Sequence, residues 1–110
     1  MEVLAYKPAK IANRELVMEG DDMRVQVLTL GENDCIPWHY HSEITDSFVC
    51  LEGTLVVETK APAHTHILDV GDRCEVKPMV AHYVHGLDMH PAKFMILQGV
   101  GIYDNIPIGE

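Results

Sequence analysis

The chain reads as an all-β protein, a barrel or a sandwich. Two observations predict this. Short apolar runs recur along its 110 residues, broken by turn residues every few to a dozen positions. No long window repeats at helical spacing, because Gly and Pro interrupt each candidate.

The elements follow in order. Val3 to Tyr6 and Leu16 to Met18 are expected as edge strands. Met23 to Leu30 reads as a strand, closed by the turn Gly31-Glu32-Asn33-Asp34. Trp38 to Ser42 is a short strand carrying histidines. Ser47 to Leu51 and Thr54 to Thr59 follow, and Glu52-Gly53 between them looks like a hairpin turn. Lys60 to His66, with Pro62 and small residues, reads as a loop. Gly71-Asp72 is a further turn. Cys74 to Lys77 and His82 to His85 are short strands around Pro78, and Lys93 to Val100 is the last strong strand. Residues from Tyr103 onward read as an irregular tail, whose Ile106 and Ile108 require something to pack against. With no composition break and no repeat, residues 1–110 are expected to form a single domain. Its barrel core spans about 23–100, with edge strands in 1–22 and a tail at 101–110.

Composition narrows the function classes. Apolar residues are 47% and charged residues 23%, ordinary globular values that argue against disorder. Asp and Glu outnumber Lys and Arg by 17 to 8, a formal charge of −9, and no basic stripe is present. Nucleic acid is therefore not an expected partner. No apolar run approaches membrane-spanning length, so no membrane partner is expected. Cys35, Cys50 and Cys74 are odd in number and lack C-x-x-C spacing, which argues against a disulfide framework or a structural zinc knot. Reduced thiols and the absence of a secretory signal pattern make a cytoplasmic location the expectation. Cys35, in its turn, is expected to be the accessible thiol, while Cys50 and Cys74 could face the interior as small hydrophobes.

The chemistry-bearing pattern is His39-Tyr40-His41, followed by Asp46 and later by His82. Residues two apart on a strand share a face, so His39 and His41 aim at the same space. Three imidazoles and a carboxylate are a donor set for a divalent transition ion. Trp38 and Tyr40 alternate with the histidines and should face away. Glu43 is a rival carboxylate, two residues past His41, although it falls where the strand should turn. His64 and His66 form another H-x-H, expected as solvated loop residues. His85, three residues from His82, should lie on the opposite face, and His90 should be exposed.

From Gly31 to Gly53 the chain resembles the first motif of the cupin family, G-x5-H-x-H-x3,4-E-x6-G, through His39, His41, Asp46 and Gly53. Seven residues rather than five separate Gly31 from His39. Gly71, Lys77-Pro78-Met79, His82 and Gly86 keep the spacing of the second motif, G-x5-P-x-G-x2-H-x3-N. Lys77 stands for its Pro, Met79 for its Gly and Gly86 for its Asn. The resemblance covers about residues 23–100. It implies a double-stranded β-helix of the jelly-roll type, with His39, His41, Asp46 and His82 at the positions of the family's metal ligands. Asp replaces Glu, so the carboxylate reaches roughly 1–1.5 Å less far, and Asp46 could ligate directly or through a water.

The same resemblance implies an Fe, Mn, Ni, Co or Zn ion, a small organic substrate or ligand, and a homodimer. It implies a metal-dependent enzyme of dioxygenase or of sugar or keto-acid isomerase or lyase type, with a non-catalytic ligand-binding or sensing module as the alternative. No residue is assigned as the catalytic acid or base, for which Glu43, Tyr83 and His85 are the nearest candidates. Val25, Val27, Phe48, Val84 and Ile96 are expected to line an apolar interior, with Met79, Tyr83 and Phe94 as further pocket candidates.

Overall fold

A computed structural model describes residues 9–108. The strands are β1 (Asn13–Glu19), β2 (Met23–Leu30), β3 (Cys35–Tyr40), β4 (Thr45–Glu52), β5 (Leu55–Thr59), β6 (His64–Leu68), β7 (Arg73–Val76), β8 (His82–Gly86), β9 (Ala92–Gly99) and β10 (Ile106–Pro107). They form two five-stranded sheets, ordered β1-β2-β9-β4-β7 and β10-β3-β8-β5-β6, and every pairing is antiparallel. A single 3-10 turn, Leu87–Met89, is the helical element among the described residues, and none is long and apolar enough to cross a membrane.

The two-residue period decides which side chains are inside. On β4 and β9, Asp46, Phe48, Cys50, Ala92, Phe94, Ile96 and Gln98 are buried and alternate with half-buried neighbours. Register carries this face across the first sheet: Asp46 lies beside Val76 and Gln98, and Gln98 beside Arg24. The next inward row is Gln26, Ile96, Phe48 and Cys74. From the second sheet, Leu55, Val57 and Val84 close the core against Phe48 and Phe94, whose rings sit 5.8 Å apart.

Several expectations change here. Glu52-Gly53 does not make a hairpin: β4 belongs to one sheet and β5 to the other, so the turn carries the chain across the core. Gly53 sits at φ +73°, and a Cβ there would stand 2.6 Å from the Pro91 carbonyl oxygen. His64 and His66 are not in a loop, because β6 begins at His64 and pairs with β5 at the edge of the second sheet. The tail is tied down through β10, which pairs with the histidine strand β3. The expected edge strand at Leu16 to Met18 is part of β1. Val3 to Tyr6 lies outside the described residues.

Candidate metal centre

His39 owes its orientation to a bulge. Ile36 pairs with Val84 and His39 pairs with His82, a register shift of one residue around Pro37. Without it, residues three apart could not both point inward. His41 keeps the alternation just beyond β3, Asp46 is the second residue of β4, and His82 opens β8. All four are buried, and their ligating atoms lie within 4.8 Å of one another. Among the described residues this is the only group of three or more ligating side chains so arranged. Glu43 is exposed, accepts the Ile102 amide N–H at 3.4 Å, and stands outside the cluster.

The hydrogen bonds fix which nitrogen each imidazole offers. Nδ1 of His39 faces the Pro37 carbonyl oxygen at 2.8 Å, and Nδ1 of His82 faces that of Val80 at 3.0 Å. Nδ1 of His41 faces the Asp104 carbonyl oxygen. Carbonyls only accept, so each Nδ1 carries the proton and each Nε2 is left as the donor atom for a cation. Nε2 of His41 and Nε2 of His82 both stand 2.9 Å from Oδ2 of Asp46. A lone pair facing a carboxylate oxygen at that distance requires a cation between them, a proton or a metal. Adjacent ligands of a six-coordinate ion, each at about 2.1 Å, stand about 3.0 Å apart. The donor set therefore fits a divalent ion, and the shorter Asp46 side chain closes to direct-ligand distance.

The electrostatics agree with this reading. Burial pulls the His39 pKa down to about 4, with His82 adding to the effect, so this imidazole is neutral at physiological pH. Burial opposes protonation of His41 too, but the Asp46 carboxylate outweighs it and raises that pKa. Asp46 is fully buried, which alone would favour its neutral form. The His41 and His82 imidazoles, each 2.9 Å from Oδ2, overcome this and hold it well below the usual carboxylate range.

Around the four groups lies a shell that the sequence reading missed. Gln98 donates its amide N–H to Oδ1 of Asp46 at 3.0 Å, and its own carbonyl oxygen accepts from Arg24 Nη2 at 2.9 Å. The Arg24 guanidinium lies 4.6 Å from the Tyr103 ring centre, and Tyr103 packs on His41 at 5.3 Å between ring centres. Asp104 holds the tail down by accepting the Ser42 backbone N–H at 2.8 Å and the Ser42 hydroxyl. The Ser42 hydroxyl and N–H also draw the Asp104 pKa downward. The tail is thus part of the histidine support. Gln98 shares the inward parity of Phe94 and Ile96, and a polar residue on that parity was the available signal.

A cavity of about 70 Å³ opens beside His39 and Asp46, walled by Leu28, Ile36, Phe48, Val84 and Ile96 and carrying Arg14, Gln26, Gln98 and Asn105. Phe48, Val84 and Ile96 are where the sequence placed them. Val25 and Val27 are not: they share the outer face with Leu97 and Met95, and Gln26 and Leu28 point inward instead. Tyr83 stacks on Trp38 at 5.6 Å, and His85 pairs with Glu58 at 2.6 Å, both on the face opposite His82. Neither reaches the centre as an acid or base. Met79 is exposed, and Phe94 lies in the core rather than the cavity wall. His90 is exposed, as expected. His64 and His66 pack ring to ring at 4.2 Å on β6, and burial, then His64, lowers the His66 pKa.

The thiols are all free, and Cys35 is buried rather than accessible, covered where Lys10 bridges to it. Burial raises the Cys50 thiol and pushes Cys74 up to about 11.

No family model and no curated protein matches the chain. Solved structures do. A double-stranded β-helix protein from Klebsiella pneumoniae aligns over 89% of this chain and 80% of its own, at 20% identity and a TM-score of 0.74. A cupin-2 domain protein from Shewanella frigidimarina aligns over 80% of each chain, at 19% identity and a TM-score of 0.66. An oxalate oxidase aligns over 79% of this chain at 11% identity and a TM-score of 0.69, and this chain spans 46% of its length. The two sheets, their order and these likenesses together make the chain a double-stranded β-helix of the cupin type.

Proposed function

We propose that the chain binds a divalent transition ion through His39, His41, Asp46 and His82 and acts as an enzyme on a small organic molecule. The observation that carries this is the convergence of two Nε2 atoms on one carboxylate oxygen, with every Nδ1 committed to a carbonyl. The likeness to an oxalate oxidase supports an enzyme on this fold. A bound ion would supply Lewis acidity or, for iron or manganese, redox chemistry.

The chain's own residues do the rest. The carbonyls of Pro37, Val80 and Asp104 lock the ring orientations, and Gln98 fixes the Asp46 carboxylate. Leu28, Ile36, Phe48, Val84 and Ile96 give the cavity apolar walls beside the candidate ligands. The titratable groups lining that cavity, among the described residues, are Arg14, His39 and Asp46. With the Glu43, Tyr83 and His85 side chains placed elsewhere, no carboxylate or imidazole beyond the proposed ligands lines the cavity among the described residues to shuttle protons. That favours the dioxygenase branch over isomerisation, and it equally suits a binding or sensing module.

Metal analysis of protein grown with supplemented Fe, Mn, Co, Ni and Zn tests the first half of the proposal. Close to one equivalent in wild type, lost in His41→Ala, is the expected result. Metal below a fifth of an equivalent that His41→Ala leaves unchanged (roughly, the trace any His-containing surface retains) sinks it. Full metal occupancy with no oxygen consumption or turnover across a small-molecule panel would favour the binding module.

A further inference from the structure

Gln26 is a buried polar side chain, 6% exposed, with half its hydrogen-bonding capacity committed. Its carbonyl oxygen accepts from Arg14 Nη1 at 3.1 Å, and its amide nitrogen donates to no group among the described residues. Both side chains line the 70 Å³ cavity that reaches His39 and Asp46. The Gln26 amide nitrogen is open to the cavity rather than sealed, since the buried side-chain atom left without a partner among the described residues is Arg24 Nε, so a ligand oxygen in the cavity can accept from it. Arg14 has no carboxylate within ion-pair distance among the described residues, in a chain with 17 acidic side chains. Among the described residues it is the only Lys or Arg lining this cavity, and its side chain is exposed at the cavity mouth.

We infer that Arg14 and Gln26 form the anchoring subsite for a small organic carboxylate, which enters between β1 and the tail and presents its other end toward His39 and Asp46. A guanidinium fork with an adjacent amide N–H matches the two oxygens of a carboxylate. Size sets the class further. A single water needs about 10–15 Å³ of cavity, so a cavity of about 70 Å³ suits an acid of a few carbons rather than a sugar. This identity rests on the proposed metal reading only for the role of the far end; the carboxylate subsite itself stands on Arg14 and Gln26.

The test compares pyruvate with its neutral amide, pyruvamide, by calorimetry on metal-loaded and metal-depleted protein, with metal content measured first. Pyruvate is expected to bind about tenfold or more tightly than pyruvamide, the range of one charge-assisted contact near solvent. Arg14→Gln should abolish that preference and leave metal content unchanged, while Arg14→Lys restores part of it. Equal binding of the two probes, no pyruvate binding, or an Arg14→Gln variant within twofold of wild type overturns the subsite. If the protein holds no metal but keeps the Arg14-dependent preference, the subsite stands and the metal reading falls.

Discussion

Replacing Gln98 by Leu should weaken metal binding without touching any of the four candidate ligands. Gln98 is buried beside Asp46, which has no solvent contact. Its amide N–H is the partner of Oδ1, since Oδ2 is already shared between His41 and His82. Leucine is apolar and one atom shorter, with neither donor nor acceptor, so Oδ1 and Arg24 Nη2 both lose their partner. Loss of an outer partner to a ligating group typically costs 10–100-fold in metal affinity, or about 1.4–2.7 kcal/mol. The metal-free protein should also lose about 1–3 kcal/mol, the cost of an unsatisfied buried acceptor. Competition against a chromophoric zinc chelator reads the first quantity, and urea unfolding of the metal-free protein reads the second. Gln26→Leu is the control, because Gln26 sits one inward row away and bonds Arg14 instead of Asp46. A folded Gln98→Leu protein with zinc affinity within threefold of wild type would refute the reasoning. So would an equal loss in Gln26→Leu, which would point to general loosening of the sheet.

Zinc binding at pH 6.5 should release a proton from His41, whose raised pKa keeps it more than half protonated there. His39, lowered to about 4, is already neutral. Calorimetry of the wild-type protein in buffers of different ionisation enthalpy should therefore show proton release at about pH 6.5 that falls as the pH is raised past the His41 pKa; release that does not fall as the pH rises contradicts the assignment. Met79 stands at φ +70° in the turn closed by Val80 N–H to Lys77 O, and its side chain is 64% exposed. Met79→Gly removes about 1–2 kcal/mol of left-handed strain against about 0.5–1 kcal/mol of added chain entropy. The urea midpoint should rise, and a fall would show that the Met79 side chain has a structural contact that outweighs its backbone. On the outer face of the β1-β2-β9-β4-β7 sheet, half-buried Val27, Met95 and Leu97 surround buried Val25, edged by exposed Met18. A second copy covering this face would give twice the 12.3 kDa chain mass by light scattering, reverting to monomer in Leu97→Glu; monomer in wild type at all concentrations rejects the dimer.

How much of this was legible in the sequence depends on the range of the signal. Alternation and turn chemistry are local, so β2, β4, β8 and β9 could be read within a few residues of their observed ends. Which strand pairs with which is not local. Glu52-Gly53 carries the chemistry of a tight turn whether the strands it joins pair or part, and only the two-sheet packing decides that they part. The histidines and Asp46 were legible because their spacing is itself the information. Gln26 and Gln98 were not, because both faces of β2 carry apolar residues, and choosing the Val25 and Val27 parity as the interior hid the glutamines.

That error of parity has a physical origin that bears on the site. An inner face that was wholly apolar would bury more surface, yet β2 and β9 place Arg24, Gln26 and Gln98 inward at one end of the barrel and Leu28, Leu30 and Phe94 at the other. The apolar end supplies the packing. The polar end holds a buried carboxylate that would otherwise be costly to keep charged, through Gln98 and the two histidines. The outer face takes up the displaced apolar residues, Val25, Val27 and Leu97. A partly covered apolar outer face and a polar inner end are therefore two sides of one register, and a one-residue slip of β2 would exchange them. Such a slip would carry Gln26 out of the cavity and valines into it, so the register that positions the candidate centre also fixes the surface on which a second copy would sit.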